Sequence, residues 1–133
     1  MGGIESHCEE LLPRIATLAP DQPIVVLGRA PYLPERRRTW RGVEIVGLRC
    51  PQSKHFETIL STLFAIVAAK RRGADVLHIH AIGPAILAPL ARMLGLRVVV
   101  THHGTDYDRA KWGRFAKAVL RLGERAALGW ADR

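Results

Sequence analysis

DVLHIHAIGPAILAPLARMLGLRVVVT, residues 75–101, is the stretch whose reading decides the fold. Asp75 to His80 is a short apolar run broken only by two histidines two residues apart, which is the pattern of a buried strand. Gly83-Pro84 then opens a helix, because proline is tolerated in a first turn where its missing N–H is not needed. That helix runs to about Leu94, and Gly95 serves as its C-terminal stop. Leu96 to Thr101 returns to a β-branched run, a second strand. A strand, a helix and a strand in so short a span predict a parallel pair with a crossover helix, and so an α/β sheet.

The same alternation continues outward in both directions. Pro23 to Gly28 (PIVVLG) and Val43 to Val46 are short β-branched runs ended by turn formers, with a basic, proline-containing loop at Arg29 to Arg41 between them. Phe56 to Arg72 is predicted as a helix, and so is the segment from roughly Arg109 to Trp130. In the latter, Trp112, Phe115, Val119, Leu122 and Ala126 fall on one apolar side and Lys111, Arg114, Arg121 and Arg125 on the other. Near the N-terminus Ile4, Cys8, Leu11, Leu12, Ile15 and Leu18 recur at helical spacing directly after Gly2-Gly3. A doubly wound fold lays down a strand before its first helix, and here that first strand is expected to be missing.

Composition bounds what the chain does. With 48% hydrophobic and 24% charged residues it is globular, and 133 residues suit one domain. The longest apolar runs, such as Ile59 to Ala69, are interrupted or too short for the roughly 20 residues a membrane-spanning helix needs. No secretory pattern opens the chain, so a cytoplasmic location is expected. The two cysteines, Cys8 and Cys50, are widely spaced and read as reduced structural thiols. A formal charge of +8 fits phosphorylated substrates, an anionic membrane or nucleic acid. Nucleic acid ranks last, because aromatics are not interleaved with the basic residues and no recognition module is present.

In parallel sheets ligands bind at the carboxyl ends of strands, so those loops are where chemistry is sought. Gly2 and Gly3 head a helix whose free N–H groups suit a phosphate. His78 and His80 share one strand face, with His80 at the exit. Thr101-His102-His103-Gly104-Thr105-Asp106 is a polar cluster directly after an apolar strand, the character of a binding loop. A metal-dependent hydrolase built on His78, His80, His102 and His103 lacks a carboxylate at ligand spacing, so no metal is expected. A dinucleotide oxidoreductase lacks its glycine fingerprint.

Taken in order, GGIE, ADVLHIHAIGPA and RVVVTHHGTDYDRAKWGRFAKAVLRLGERAAL resemble the N-terminal domain of retaining family 4 glycosyltransferases of the two-domain GT-B type, particularly rhamnosyltransferase-like members. The resemblance runs from Gly2 to Asp132. It implies a Rossmann-like doubly wound parallel sheet, the acceptor-side half (1–133) of an enzyme whose C-terminal donor domain is absent from this sequence. That enzyme would move a sugar from a nucleotide-sugar to a glycan or lipid-linked acceptor with retention. The nucleotide-sugar is a co-substrate, and no separate cofactor is implied. By the same resemblance His103 and His80 line the reaction centre, and Gly2 and Gly3 approach the donor diphosphate. Gly104, Asp106, Arg109 and Lys111 shape the acceptor pocket, where the two cations also suit phosphate. This half alone is expected to be inactive, and a non-catalytic acceptor-binding module or truncated gene remnant is the alternative. The basic helix adds an expected peripheral contact with anionic lipid at the inner face of the plasma membrane.

Overall fold

A computed structural model describes residues 3–51, 56–102 and 113–132. The chain forms two compact units, Met1–Gln52 and Ser53–Arg133. Each unit combines α-helix with a parallel strand pair, Ile24–Arg29 and Val43–Leu48 in the first and Val76–His80 and Arg97–Thr101 in the second, so the fold class is the expected α/β one.

The first unit opens with α1 (Gly3–Leu18), followed by β1 (Ile24–Arg29), a short 3-10 turn (Ala30–Tyr32), β2 (Arg37–Trp40) and β3 (Val43–Leu48). β1 runs parallel to β3 from Ile24 opposite Val43 to Arg29 opposite Leu48. Val43, Ile45 and Gly47 on β3 are buried and alternate with half-buried neighbours, which is the period-2 signature of one face turned to the core.

Two expectations change here. The basic segment read as a loop contains β2, which pairs antiparallel with β3 at the sheet's edge. An edge tolerates such a strand because arginines face solvent there and discourage further pairing. The turn joining the two strands is Arg41-Gly42, with φ of 48° and 80°, the left-handed pair that a tight two-residue hairpin requires. On α1 the apolar side is only partly covered. Cys8, Leu11 and Leu12 are half-buried, whereas Leu18 at the helix end is 84% exposed. Neither Cys8 nor Cys50 is in a disulfide, and burial pushes the Cys8 thiol up.

The second unit contains α2 (Glu57–Arg71), β4 (Val76–His80), a 3-10 turn (Pro84–Leu87), α3 (Ala88–Met93), β5 (Arg97–Thr101) and α4 (Arg114–Trp130). β4 and β5 are parallel, with Val76 opposite Arg97 and His80 opposite Thr101. The crossover between them is the helix expected from the sequence, but its first turn is 3-10. Pro89 explains this, since it has no N–H to donate to Ala85 and an α-helix could not be continuous through that point. Gly95, with φ of 83°, ends the helix as anticipated. The core gathers Ile66 of α2, Ile79 of β4, Ile82, the alanines 85, 88 and 91, Leu96 and Val98. Three alanines at spacings of three give that helical segment a flat side on which neighbours approach closely.

α4 is rotated relative to the sequence reading. Leu122, expected on the core side, is 51% exposed, while Gly123 beside it is buried. A Cβ at Gly123 would overlap the carbonyl oxygen of Ile82 and lie 3.0 Å from its carbon. Helix and loop backbones touch at this point, so the glycine must face inward. Leu120 and Ala127 then turn inward with it and Leu122 turns outward. Trp112 lies outside the described residues, and Val119 and Ala126 are half-buried.

Past its last turn the chain is latched onto β5. Asp132 N–H donates to the Val98 carbonyl at 2.6 Å, and the Asp132 carboxylate accepts from Val98 N–H at 2.8 Å and from Arg92 at 2.5 Å. The backbone donor and then the Arg92 guanidinium hold the Asp132 carboxyl below the usual carboxylate range. A depressed folded-state value means the stabilisation is complete above the unfolded value, about 3.9, and is lost as pH falls through the lower folded value. Asp132→Asn is expected to flatten the acid limb of the stability curve below about pH 4. Urea titrations at a series of pH values would check this, and an unchanged acid limb would contradict it.

Candidate functional site

β4 and β5 end side by side at His80 and Thr101, and the groups at that end come from the short register between them. Strand alternation places His78, His80, Val99 and Thr101 on one face, while Leu77, Ile79, Val98 and Val100 occupy the other. Ile79 and Val98 are buried, whereas the two histidines and Thr101 are half-buried. Apolar side chains thus fill the core, and the polar set sits at moderate accessibility.

His78 Nε2 lies 2.6 Å from the Thr101 hydroxyl, and the His78 and His80 rings stack with centroids 4.1 Å apart and an interplanar angle of 30°. The expectation that both histidines share a face holds. The hydroxyl can donate to, or accept from, that nitrogen according to the imidazole tautomer. Either way the bond fixes one ring, and the stack passes that constraint to the other. His80, the last residue of β4, therefore has a restricted orientation at the strand exit, as a group acting on a ligand needs.

Directly after β5, His102 is exposed and its Nε2 lies 3.9 Å from Glu124 Oε1 on α4. A protonated His102 would make an ion pair with that carboxylate. Thr101 and Glu124 were not singled out from the sequence. Thr101 stood inside the polar cluster without a role of its own. Glu124, the one acidic residue in α4, was the available signal.

The other expected positions divide plainly. Gly3 is the first residue of α1, a 16-residue helix in the other unit. Gly2, His103, Gly104, Asp106, Arg109 and Lys111 lie outside the described residues. Among the described residues no three His, Cys, Asp or Glu side chains gather as metal ligands. No described helix is long and apolar enough to cross a membrane.

Comparison with curated proteins and with solved structures finds no match. The profile of the glycosyl transferase 4-like domain, in contrast, matches residues 2–133. Together with the parallel α/β architecture, that match over nearly the whole sequence places the chain in the glycosyl transferase 4-like domain family.

Proposed function

We propose that this chain is the acceptor-side half of a retaining, rhamnosyltransferase-like glycosyltransferase, taking a glycan or lipid-linked acceptor and a nucleotide-sugar as co-substrate. The transfer breaks the bond from the anomeric carbon to the nucleoside diphosphate, and the electron pair leaves with the phosphate oxygen. The acceptor hydroxyl forms the new bond to that carbon, and its proton passes to the departing diphosphate oxygen. The observation that carries the reading is His80, held by ring stacking on a threonine-anchored His78 at the carboxyl end of β4. An imidazole so placed can accept a hydrogen bond from the acceptor hydroxyl.

His103 is proposed to share that task. Gly104, Asp106, Arg109 and Lys111 would shape the acceptor pocket, with the two cations suited to a sugar-linked diphosphate. Gly3, the first residue of α1, and Gly2 before it in the sequence would let backbone N–H groups meet the donor diphosphate. Polysaccharide assembly at the cytoplasmic face of a membrane fits such a substrate pair. The basic side of α4 would meet the anionic surface where lipid-linked acceptors reside.

An acceptor half binds the acceptor and leaves the nucleotide base to its partner domain. Saturation-transfer NMR of the chain with prenyl-diphosphate sugars and soluble oligosaccharides, against UDP, GDP and dTDP, tests this. Saturable acceptor signals with none from the nucleobases are expected. Tight binding of a nucleobase with no acceptor signal would overturn the reading.

A further inference from the structure

The outward side of α4 carries more than charge. At 3.6 residues per turn Arg114, Ala118, Arg121, Leu122, Arg125 and Leu128 fall within roughly a third of the helix circumference, and all of them are exposed. Leu128 is 83% exposed and Leu122 51%. The helix's one acidic residue, Glu124, lies off this arc and points toward His102 at 3.9 Å. Gly123 fixes the rotation that turns Leu122 outward, so the two leucines cannot enter the core without pulling the helix off the Ile82 backbone.

Solubility alone would be served by the arginines, and the leucines between them work against it. We infer that this arc lies against an anionic lipid surface, with the three guanidinium groups on headgroup phosphates and Leu122 and Leu128 in the acyl boundary. The inference rests on the membrane-surface reading above and gives it residues and a depth. Charge complementarity selects the occupant. A second copy would bring the same three cations face to face with these, on a chain of formal charge +8. Nucleic acid would match the charge but offers nothing to aliphatic leucines, and the arc holds no aromatic on which a base could stack.

Co-sedimentation of the whole chain with phosphatidylcholine vesicles, with and without phosphatidylglycerol, tests the proposal. Binding is expected only with phosphatidylglycerol and should weaken with salt. Joint replacement R114Q, R121Q and R125Q should lower the partition constant about a hundredfold. L122S and L128S should each lower it about tenfold and leave the salt dependence unchanged. All five positions are exposed, and unchanged circular dichroism would show that the variants fold. Failure of the unmodified chain to bind either vesicle overturns the membrane reading itself. Binding that persists in every variant overturns this assignment and leaves that reading standing. A concentration-dependent dimer that L128S dissolves would name a second copy as the occupant and overturn the assignment too. The acceptor titration is independent of all these outcomes.

Discussion

Gly123→Ala is expected to cost the chain about 3 kcal/mol or more of folding stability, a large share of the roughly 5 to 15 kcal/mol a typical domain has. The added methyl group would overlap the Ile82 carbonyl oxygen, and the third nearest atom, Ile86 N at 3.5 Å, is backbone as well. Backbone cannot rotate away as a side-chain tip can. Relief requires α4 to retreat along its contact with the 3-10 turn, giving up the packing around Gly83, whose own Cβ position lies 3.5 Å from Leu120. Urea denaturation followed by circular dichroism reads the loss as a lowered midpoint. The comparison variant is Gly129→Ala, where a Cβ meets nothing within 4 Å and helix propensity favours alanine by about 1 kcal/mol. Equal midpoints for the parent and Gly123→Ala would show that α4 does not sit so tightly.

With a donor half supplied in cis or in trans, His80→Ala is expected to lower the transfer rate by about 10² to 10⁴. The argument follows from the proposed role. If His80 takes the hydrogen bond of the acceptor hydroxyl, its loss removes a contact that strengthens as the new bond forms, so kcat falls more than the acceptor KM rises. Thr101→Val separates positioning from chemistry. It deletes the hydroxyl that holds His78 at 2.6 Å and leaves the His80 imidazole in place. A drop of about tenfold is expected, with a displaced pH–rate profile, because His80 then loses its fixed orientation. Single-turnover kinetics with labelled donor would measure both variants. Transfer by His80→Ala at the parental rate would remove His80 from the reaction centre.

Much of this fold is legible in the sequence because apolar periodicity and helix stops act locally. Asp75 to Thr101 announced strand, helix and strand, and Gly95 ended the helix where its missing side chain allows a positive φ. β2 was not legible, since Arg37-Arg38-Thr39-Trp40 lacks the alternation of a half-buried strand, and an edge position asks for none. The rotation of α4 was hidden for a different reason. Counting apolar residues by spacing gives weight to Leu122 and none to Gly123, although a backbone contact with a loop some 40 residues earlier sets the helix phase. At the site, the shared face of His78 and His80 follows from strand alternation alone. The Thr101 hydroxyl could be assigned only once the β4–β5 register was known, because register is a property of the pair.

The buried glycine of α4 also divides the helix by how freely its sequence can drift. On the inner side no change elsewhere in side-chain volume can make room at position 123, since what stands in the way is main chain. Across the helix, Arg114, Arg121, Leu122, Arg125 and Leu128 are exposed, so core packing does not hold their identities. Neutral drift would erase a pattern there while leaving the fold intact. In descendants of this chain, glycine at 123 would therefore report only that the fold persists, whereas arginines and leucines retained on the outer arc would report a use.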